Sequence, residues 1–261
     1  MTPIPHLADS HFHSLAMAER GLPVVRILQD FRSHSIAPLL DVAIQPEDTT
    51  QQKALTRDVG EIYYSSGLHP SRTGREDWAS ALSLVREQIV SGGFAAVGET
   101  GLDWFRLYAP RERQIELFDE HLRIAREHRL PVIVHNRQAD IDTADRLRRA
   151  ALTVPGIMHC FSSGPEMVDT FLDLGMYISF AGNMTFKNAE PLRLALTRVP
   201  IDRLLIETDA PFLAPHPHRG QDNHPGLLVH TAQRAAEVRG MSVEDIAYRT
   251  AENLHRVLQI A

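Results

Sequence analysis

Cysteine and lysine are nearly absent from this chain. One cysteine in 261 residues, Cys160, excludes an internal disulfide and a multi-cysteine zinc ribbon. Of the 27 basic residues only Lys53 and Lys187 are lysines, and the remaining 25 are arginines, the better bidentate partner for phosphate. No apolar run approaches the roughly 18 residues of a spanning helix, so no membrane span is expected. Met1-Thr-Pro-Ile-Pro-His6 has neither the basic start nor the apolar core of a secretory signal, so a cytoplasmic location is expected. Positive charge is also scarce. A net charge of −6 argues against a surface that holds nucleic acid by counterion release. It does not exclude a nucleic-acid enzyme whose metal ions supply local positive charge. Nothing resembles the heptads of an obligate coiled-coil partner.

Eight short apolar runs are present, at 7–11, 39–43, 62–66, 95–98, 132–135, 157–159, 177–180 and 204–207. They lie roughly 20 to 36 residues apart, the βα-unit spacing of a (β/α)8 barrel. Most are continuously apolar, as strands buried on both faces are. Helices fill the gaps. Over 110–128, Ile115, Phe118, Leu122 and Ala125 form one apolar stripe, and Pro110 suits the first turn. A second helix spans 78–90, stopped by Gly92-Gly93, and Ser242 caps a third that runs to about residue 258. With no linker or composition shift, residues 1–261 read as one α/β domain, a TIM barrel.

A parallel barrel places its chemistry at the C-terminal strand ends. His11 and His13 follow the first run, His69 the third and Glu99 the fourth. His135 ends the fifth, His159 the sixth, and Glu207 and Asp209 the eighth. Imidazoles two apart on an extended segment point the same way and can share a divalent ion. Each residue alone also fits a plainer role: a hydrogen-bonded core histidine, a salt-bridged Glu99, an N-capping Asp209. Four of these histidines, His11, His13, His135 and His159, with Glu99 and Asp209 at one rim, point to a metal site.

The chain resembles the TatD family of metal-dependent deoxyribonucleases, TIM barrels of the amidohydrolase superfamily. The matching stretches run nearly end to end. They are Asp9-Ser-His-Phe-His13, Gly67-Leu-His-Pro70, Val97-Gly-Glu-Thr-Gly-Leu-Asp103, Pro131-Val-Ile-Val-His-Asn-Arg137, His159-Cys-Phe-Ser162, Thr185-Phe-Lys-Asn188, Glu207-Thr-Asp-Ala-Pro-Phe-Leu-Ala-Pro215 and Pro217-His-Arg-Gly220. The resemblance implies two divalent ions (Zn, Mn, Co, Fe or Mg). His11, His13, Glu99 and Asp209 would hold one and Glu99, His135 and His159 the other. Asp209 would orient or deprotonate the attacking water, with Glu99 as bridge. His69, Arg137, His218 and Arg219 would contact phosphate, and Glu207 would orient a ligand. The implied activity is exonucleolytic cleavage of single-stranded or frayed DNA ends, 3′ to 5′, with DNA a transient partner.

Some positions stand apart. After His13 the family often has Leu-Asp, and here Ser14-Leu15 stands. Where Asn-Glu-Pro is frequent, this chain has Asn223-His224-Pro225. Asp103 reads as structural or supporting a ligand. Lys187 and the rim aromatics Trp104 and Phe105 are further possible contacts, with phosphate and with an unpaired base. Cys160 should point away from His159 as a small buried hydrophobe. Two rival readings stay open. One is a superfamily hydrolase of a small ester, lactone or amide. Many such sites are bridged by a carboxylated lysine, yet neither Lys53 nor Lys187 falls at the fourth strand end. The other is a metal-containing binding protein with little catalysis, although every ligand is present.

Overall fold

In the computed structural model, which describes residues 4–35 and 37–260, eight parallel strands pair in sequence order. They are β1 (Asp9–Phe12), β2 (Leu39–Asp41), β3 (Tyr63–Ser66), β4 (Ala96–Asp103), β5 (Val132–Arg137), β6 (Gly156–Met158), β7 (Met176–Phe180) and β8 (Leu204–Ile206). Phe12 bridges to Ala210 beyond β8. The Asp209 N–H donates to His11 O (2.9 Å) and the His13 N–H to Ala210 O (2.8 Å), closing the ring. The protein is a single-domain (β/α)8 TIM barrel. Residues 1–3 of the N-terminal segment lie outside the described residues.

The helices are α1 (Ser14–Glu19), α2 (Val24–Arg32), α3 (Thr49–Thr56), α4 (Trp78–Ser91), α5 (Arg111–His128), α6 (Asp140–Ala150), α7 (Val168–Asp173), α8 (Glu190–Arg198), α9 (Leu228–Arg239) and α10 (Val243–Leu258). Gly92 ends α4 at φ 83°, a conformation open to glycine, and the Ser242 side chain accepts from Asp245 N at the start of α10. Both match the sequence expectation. The buried face of α5 is rotated from the expected stripe: Gln114, Leu117 and His121 face inward, while Ile115 is only half-buried. The two polar residues are tolerated because each is hydrogen-bonded to a strand-end loop. No helix among the described residues is long and apolar enough to cross a membrane.

Strand β4 extends five residues beyond the expected 95–98. It pairs with β5 through Thr100–Val134, Gly101–His135, Leu102–Asn136 and Asp103–Arg137. Its register shifts between Val97 and Thr100. Gly98 and Gly101 adopt φ of 138° and 143°, which L side chains rarely do. A Cβ on Gly98 would meet Ile133 O at 2.7 Å, and one on Gly101 would collide with His135 O. The glycines on either side of Glu99 thus let β4 lie against β5 and release Glu99 from simple alternation.

Candidate metal centre

Glu99 lies at the centre of the barrel mouth, and its two oxygens face different histidines. Oε2 is 3.3 Å from His11 Nε2 and 3.8 Å from His13 Nε2. Oε1 is 2.9 Å from both His135 Nδ1 and His159 Nε2, and 3.4 Å from His69 Nε2. Asp209 joins the first pair, with Oδ1 3.5 Å from His13 Nε2 and 4.0 Å from His11 Nε2. All six expected ligands therefore converge on one place. Five of them, all but the fully buried His11, line a cavity of about 570 Å³ together with His69, Arg106, Tyr108 and Arg137.

Hydrogen bonds at the far side of the His13, His135 and His159 rings decide which of their nitrogen lone pairs face inward. His13 Nδ1–H donates to Val42 O (2.8 Å), so its Nε2 lone pair faces the carboxylates. His159 Nδ1–H donates to Glu207 Oε1 (3.1 Å), which leaves Nε2 open toward Glu99. The His135 Nε2–H donates to Asp103 Oδ2 (3.2 Å), which leaves Nδ1 open. These outer acceptors orient a ligating imidazole and raise its basicity. His69 is the reverse. The Ser71 N–H can only donate, and it donates to His69 Nδ1 (3.0 Å), so the neutral ring carries its proton on Nε2, facing Glu99. His69 thus presents a donor where the other rings present lone pairs.

Electrostatics fit the same division. Burial alone would raise the Glu99 pKa, but the imidazoles of His159, His69 and His11 hold it well below the ordinary carboxylate range. Burial disfavours protonated His13, but Asp209 and Glu99 outweigh it and lift the ring to about 9. His159 is likewise raised well above its ordinary value by Glu99 and Glu207 against the cost of burial. Burial, aided by His135, keeps His69 neutral, its pKa pushed down to about 3 despite Glu99. The ligand pocket gathers protonated rings around carboxylates, and divalent metal ions bound there would supply that positive charge in place of the protons. His11 Nδ1 and Glu207 Oε2 are buried without hydrogen-bond partners. Among the described residues, three groups bring nitrogen and carboxylate oxygen atoms within 4.8 Å of one another: His11–His13–Glu99, His11–His159–Glu207 and His69–Glu99–His135, the last of which would need the other tautomer of His69 to hold an ion. Mixed imidazole and carboxylate donors suit Zn, Mn, Co or Fe.

The family model described as "TatD related DNase" matches residues 8–259. The chain belongs to the TatD family. It is 38% identical over 258 residues to the metal-dependent hydrolase YcfH of Escherichia coli strain K12, covering 97% of this chain and 96% of that one. It is 34% identical to the metal-dependent hydrolase YabD of Bacillus subtilis strain 168, covering 97% and 99%. The crystal structure of YjjV, a TatD homolog from Escherichia coli K12, superposes with a TM-score of 0.86 at 26% identity, over 99% of this chain and 100% of that one. This TatD-family protein is a metal-dependent hydrolase with a barrel-mouth ligand cluster to match.

Several positions around the cluster were not evident from sequence. Asp41 ends β2 and accepts from both Ser14 N (3.0 Å) and Ser14 Oγ (2.5 Å), bracing the residue after His13. That carboxylate comes from a different strand, whereas position 15 is leucine. Asp9 at the start of β1 accepts from Thr208 Oγ1 (2.6 Å) and Thr208 N (2.9 Å), tying β1 to the Asp209 loop. His121 of α5 accepts from Leu68 N (3.1 Å) and donates to Leu117 O (2.6 Å), fixing the turn that carries His69. Gln114 accepts from Asp103 N (2.9 Å) and donates to Ala109 O (3.1 Å). A polar residue on the buried face of a helix is the signal that finds His121 and Gln114.

The placement of Cys160 differs from expectation, and the remaining candidates lie as follows. Cys160 lines the cavity rather than pointing away from it. It lies beyond the end of β6 with φ 44°, so strand alternation does not apply. Trp104 is pinned to α6 by its Nε1–H to Asp142 (2.8 Å), and Arg111 covers its ring. Phe105 is half-exposed beneath Arg137 (4.2 Å). His218 packs on His230 (5.0 Å between rings) and bonds Gln221, while Arg219 lies over Phe186 (4.5 Å). Neither lines the cavity that holds Glu99, and Lys187 is exposed outside it. His224 lines a separate cavity with Ile4 and Phe31.

Proposed function

We propose that this protein is a two-metal phosphodiesterase that removes nucleotides from single-stranded or frayed DNA ends, in the 3′-to-5′ direction. The observation that carries the reading is the division of Glu99. One oxygen faces His11 and His13 and the other faces His135 and His159, the arrangement of a bridging carboxylate. His11, His13, Glu99 and Asp209 would hold one ion, and Glu99, His135 and His159 the other. Divalent ions held there would lower the pKa of water and neutralise charge on a phosphodiester.

The chain's own groups supply the rest. Asp209 lies at the cavity edge beside His13 and accepts the proton of the attacking water. His69 donates its Nε2–H to a phosphate oxygen, a role its tautomer suits. Arg137 lines the cavity, and its guanidinium forms no ion pair among the described residues, leaving its fork for phosphate. Asp103 and Glu207 keep His135 and His159 in ligating orientation. His218 and Arg219 belong to the outer rim, where they would meet only a more distant phosphate. A recessed cavity takes a chain end more readily than the interior of a rigid duplex. The acidic chain makes DNA contact transient, and a cytoplasmic enzyme without an obligate protein partner completes the reading.

The test is hydrolysis of an end-labelled single-stranded oligonucleotide by metal-stripped protein re-supplied with Mn, Zn or Mg, beside the Asp209→Asn variant. A ladder shortening from the 3′ end, absent in the variant, is expected. Bound metal with no cutting, and turnover of small esters or lactones instead, would overturn the nuclease reading.

A further inference from the structure

Four of the eight large hydrophobic side chains exposed among the described residues, Phe105, Leu107, Tyr108 and Phe212, stand on two loops at the barrel mouth. Tyr108 and Phe212 line the catalytic cavity itself. Tyr108 is 45% exposed and Phe212 39%. They neighbour different histidines of the cluster. The Phe212 ring is edge-on to His13 at 6.1 Å, and the Tyr108 ring is edge-on to His69 at 6.3 Å. Leaving apolar ring surface open to water is unfavourable unless a ligand covers it.

The two rings are held in place. Tyr108 belongs to the loop whose ends Gln114 ties through Ala109 O and Asp103 N. Asn223 Nδ2 donates to Phe212 O and to Thr208 O, both at 2.7 Å. Arg20 lies over the Phe212 ring at 4.9 Å and is itself fixed by Asp222 at 2.7 Å. Arg106 and Arg137 line the same cavity. Aromatic walls, free guanidinium groups and a metal-ligand cluster within one cavity match the three chemical parts of a nucleotide unit: a flat base, a charged phosphate and a scissile ester.

We infer that Tyr108 and Phe212 form base-stacking walls, so that the site selects phosphodiesters carrying an unpaired nucleobase beside the scissile bond. This rests on the nuclease reading and narrows it. A paired base presents its faces to its neighbours in the stack and cannot occupy the walls, so the rings favour frayed or single-stranded ends. The aromatic surface is that of Tyr108 and Phe212 rather than Trp104, which does not line the cavity and whose indole N–H is committed to Asp142.

The test compares a single-stranded oligonucleotide with the same strand carrying abasic tetrahydrofuran residues at both ends. Wild type, Tyr108→Ala, Phe212→Ala, Tyr108→Phe and Phe212→Trp are assayed with the supporting metal. Wild type should show a KM about 5- to 100-fold higher for the abasic strand, the range base–aromatic stacking provides. Each alanine variant should raise KM on the natural strand by a similar factor, change kcat little, and leave the abasic strand unaffected. The aromatic replacements should restore the wild-type preference. Equal losses on both strands, or none on either, would overturn the stacking role. Failure of wild type to cut either strand with any metal would overturn the nuclease reading itself, and the stacking role with it.

Discussion

The two halves of the barrel interior are built from the same strands and differ in almost every other respect. Toward the N-terminal strand ends, Leu40, Ala96, Ile133, Ile157, Tyr177 and Leu205 form a dry cluster packed against Leu254, Val257 and Leu258 of α10. Two residues further along the same strands stand His135, His159 and Glu207, all drawn toward Glu99 or its ligands. The period-two geometry of a strand places both sets on one face. The lower set excludes water and contributes stability. The upper set concentrates ionisable groups whose burial is costly without partners. One rise of about 7 Å along a strand therefore separates the fold's core from its chemistry.

Substitutions at the two levels should separate cleanly. Glu99→Gln should lower hydrolysis by well over about a hundredfold, since loss of even an outer partner of a ligand costs 10–100-fold. Its thermal melt without metal should show the same cooperative unfolding as wild type. Ile157→Ala should do the opposite, losing about 2–5 kcal/mol in denaturant unfolding while the folded fraction keeps its kcat. Comparable kcat losses in both would show that the two levels are not distinct.

Glu207→Gln sharpens the boundary. It retains shape but weakens the acceptor for His159 Nδ1, so metal affinity should fall about 10–100-fold in a competition titration with a chelator. An unchanged affinity would mean that Glu207 serves only the Cys160 N–H, which it also accepts at 2.8 Å.

His121 joins the two levels from outside the barrel. Burial lowers its pKa from 6.5 to about 4, against the hydrogen bond to Leu117. Between those values the unfolded chain binds a proton that the native state does not. Stability from the neutral ring is therefore complete above 6.5 and declines as pH falls toward 4. Replacing it with glutamine should make unfolding free energy less sensitive to acid across that window, by up to about 3 kcal/mol. Parallel pH profiles for wild type and His121→Gln would contradict this.

The barrel and the cluster of polar side chains at its mouth were legible in the sequence because strand cores are apolar and their ends abruptly polar. Ile133-Val134-His135 and Ile157-Met158-His159 are the clearest examples. The extension of β4 was not legible, because Glu99-Thr100-Gly101 carries no apolar signal and its pairing depends on where β5 lies. Alternation also misplaced Cys160, whose positive φ follows from the turn after β6. Nor could the tautomer of His69 be read, since it is set by a backbone N–H two residues on. Tyr108 and Phe212 escaped notice because loop aromatics have no periodicity to reveal which way they face.

The central claim is that Glu99 joins two metal ions. The direct measurement is metal content per chain by mass spectrometry, after loading wild type and Glu99→Gln with Mn or Zn and removing free metal. The account predicts two ions per wild-type chain and loss of the pair in the variant. Two ions retained by Glu99→Gln, or never more than one in wild type, would contradict it.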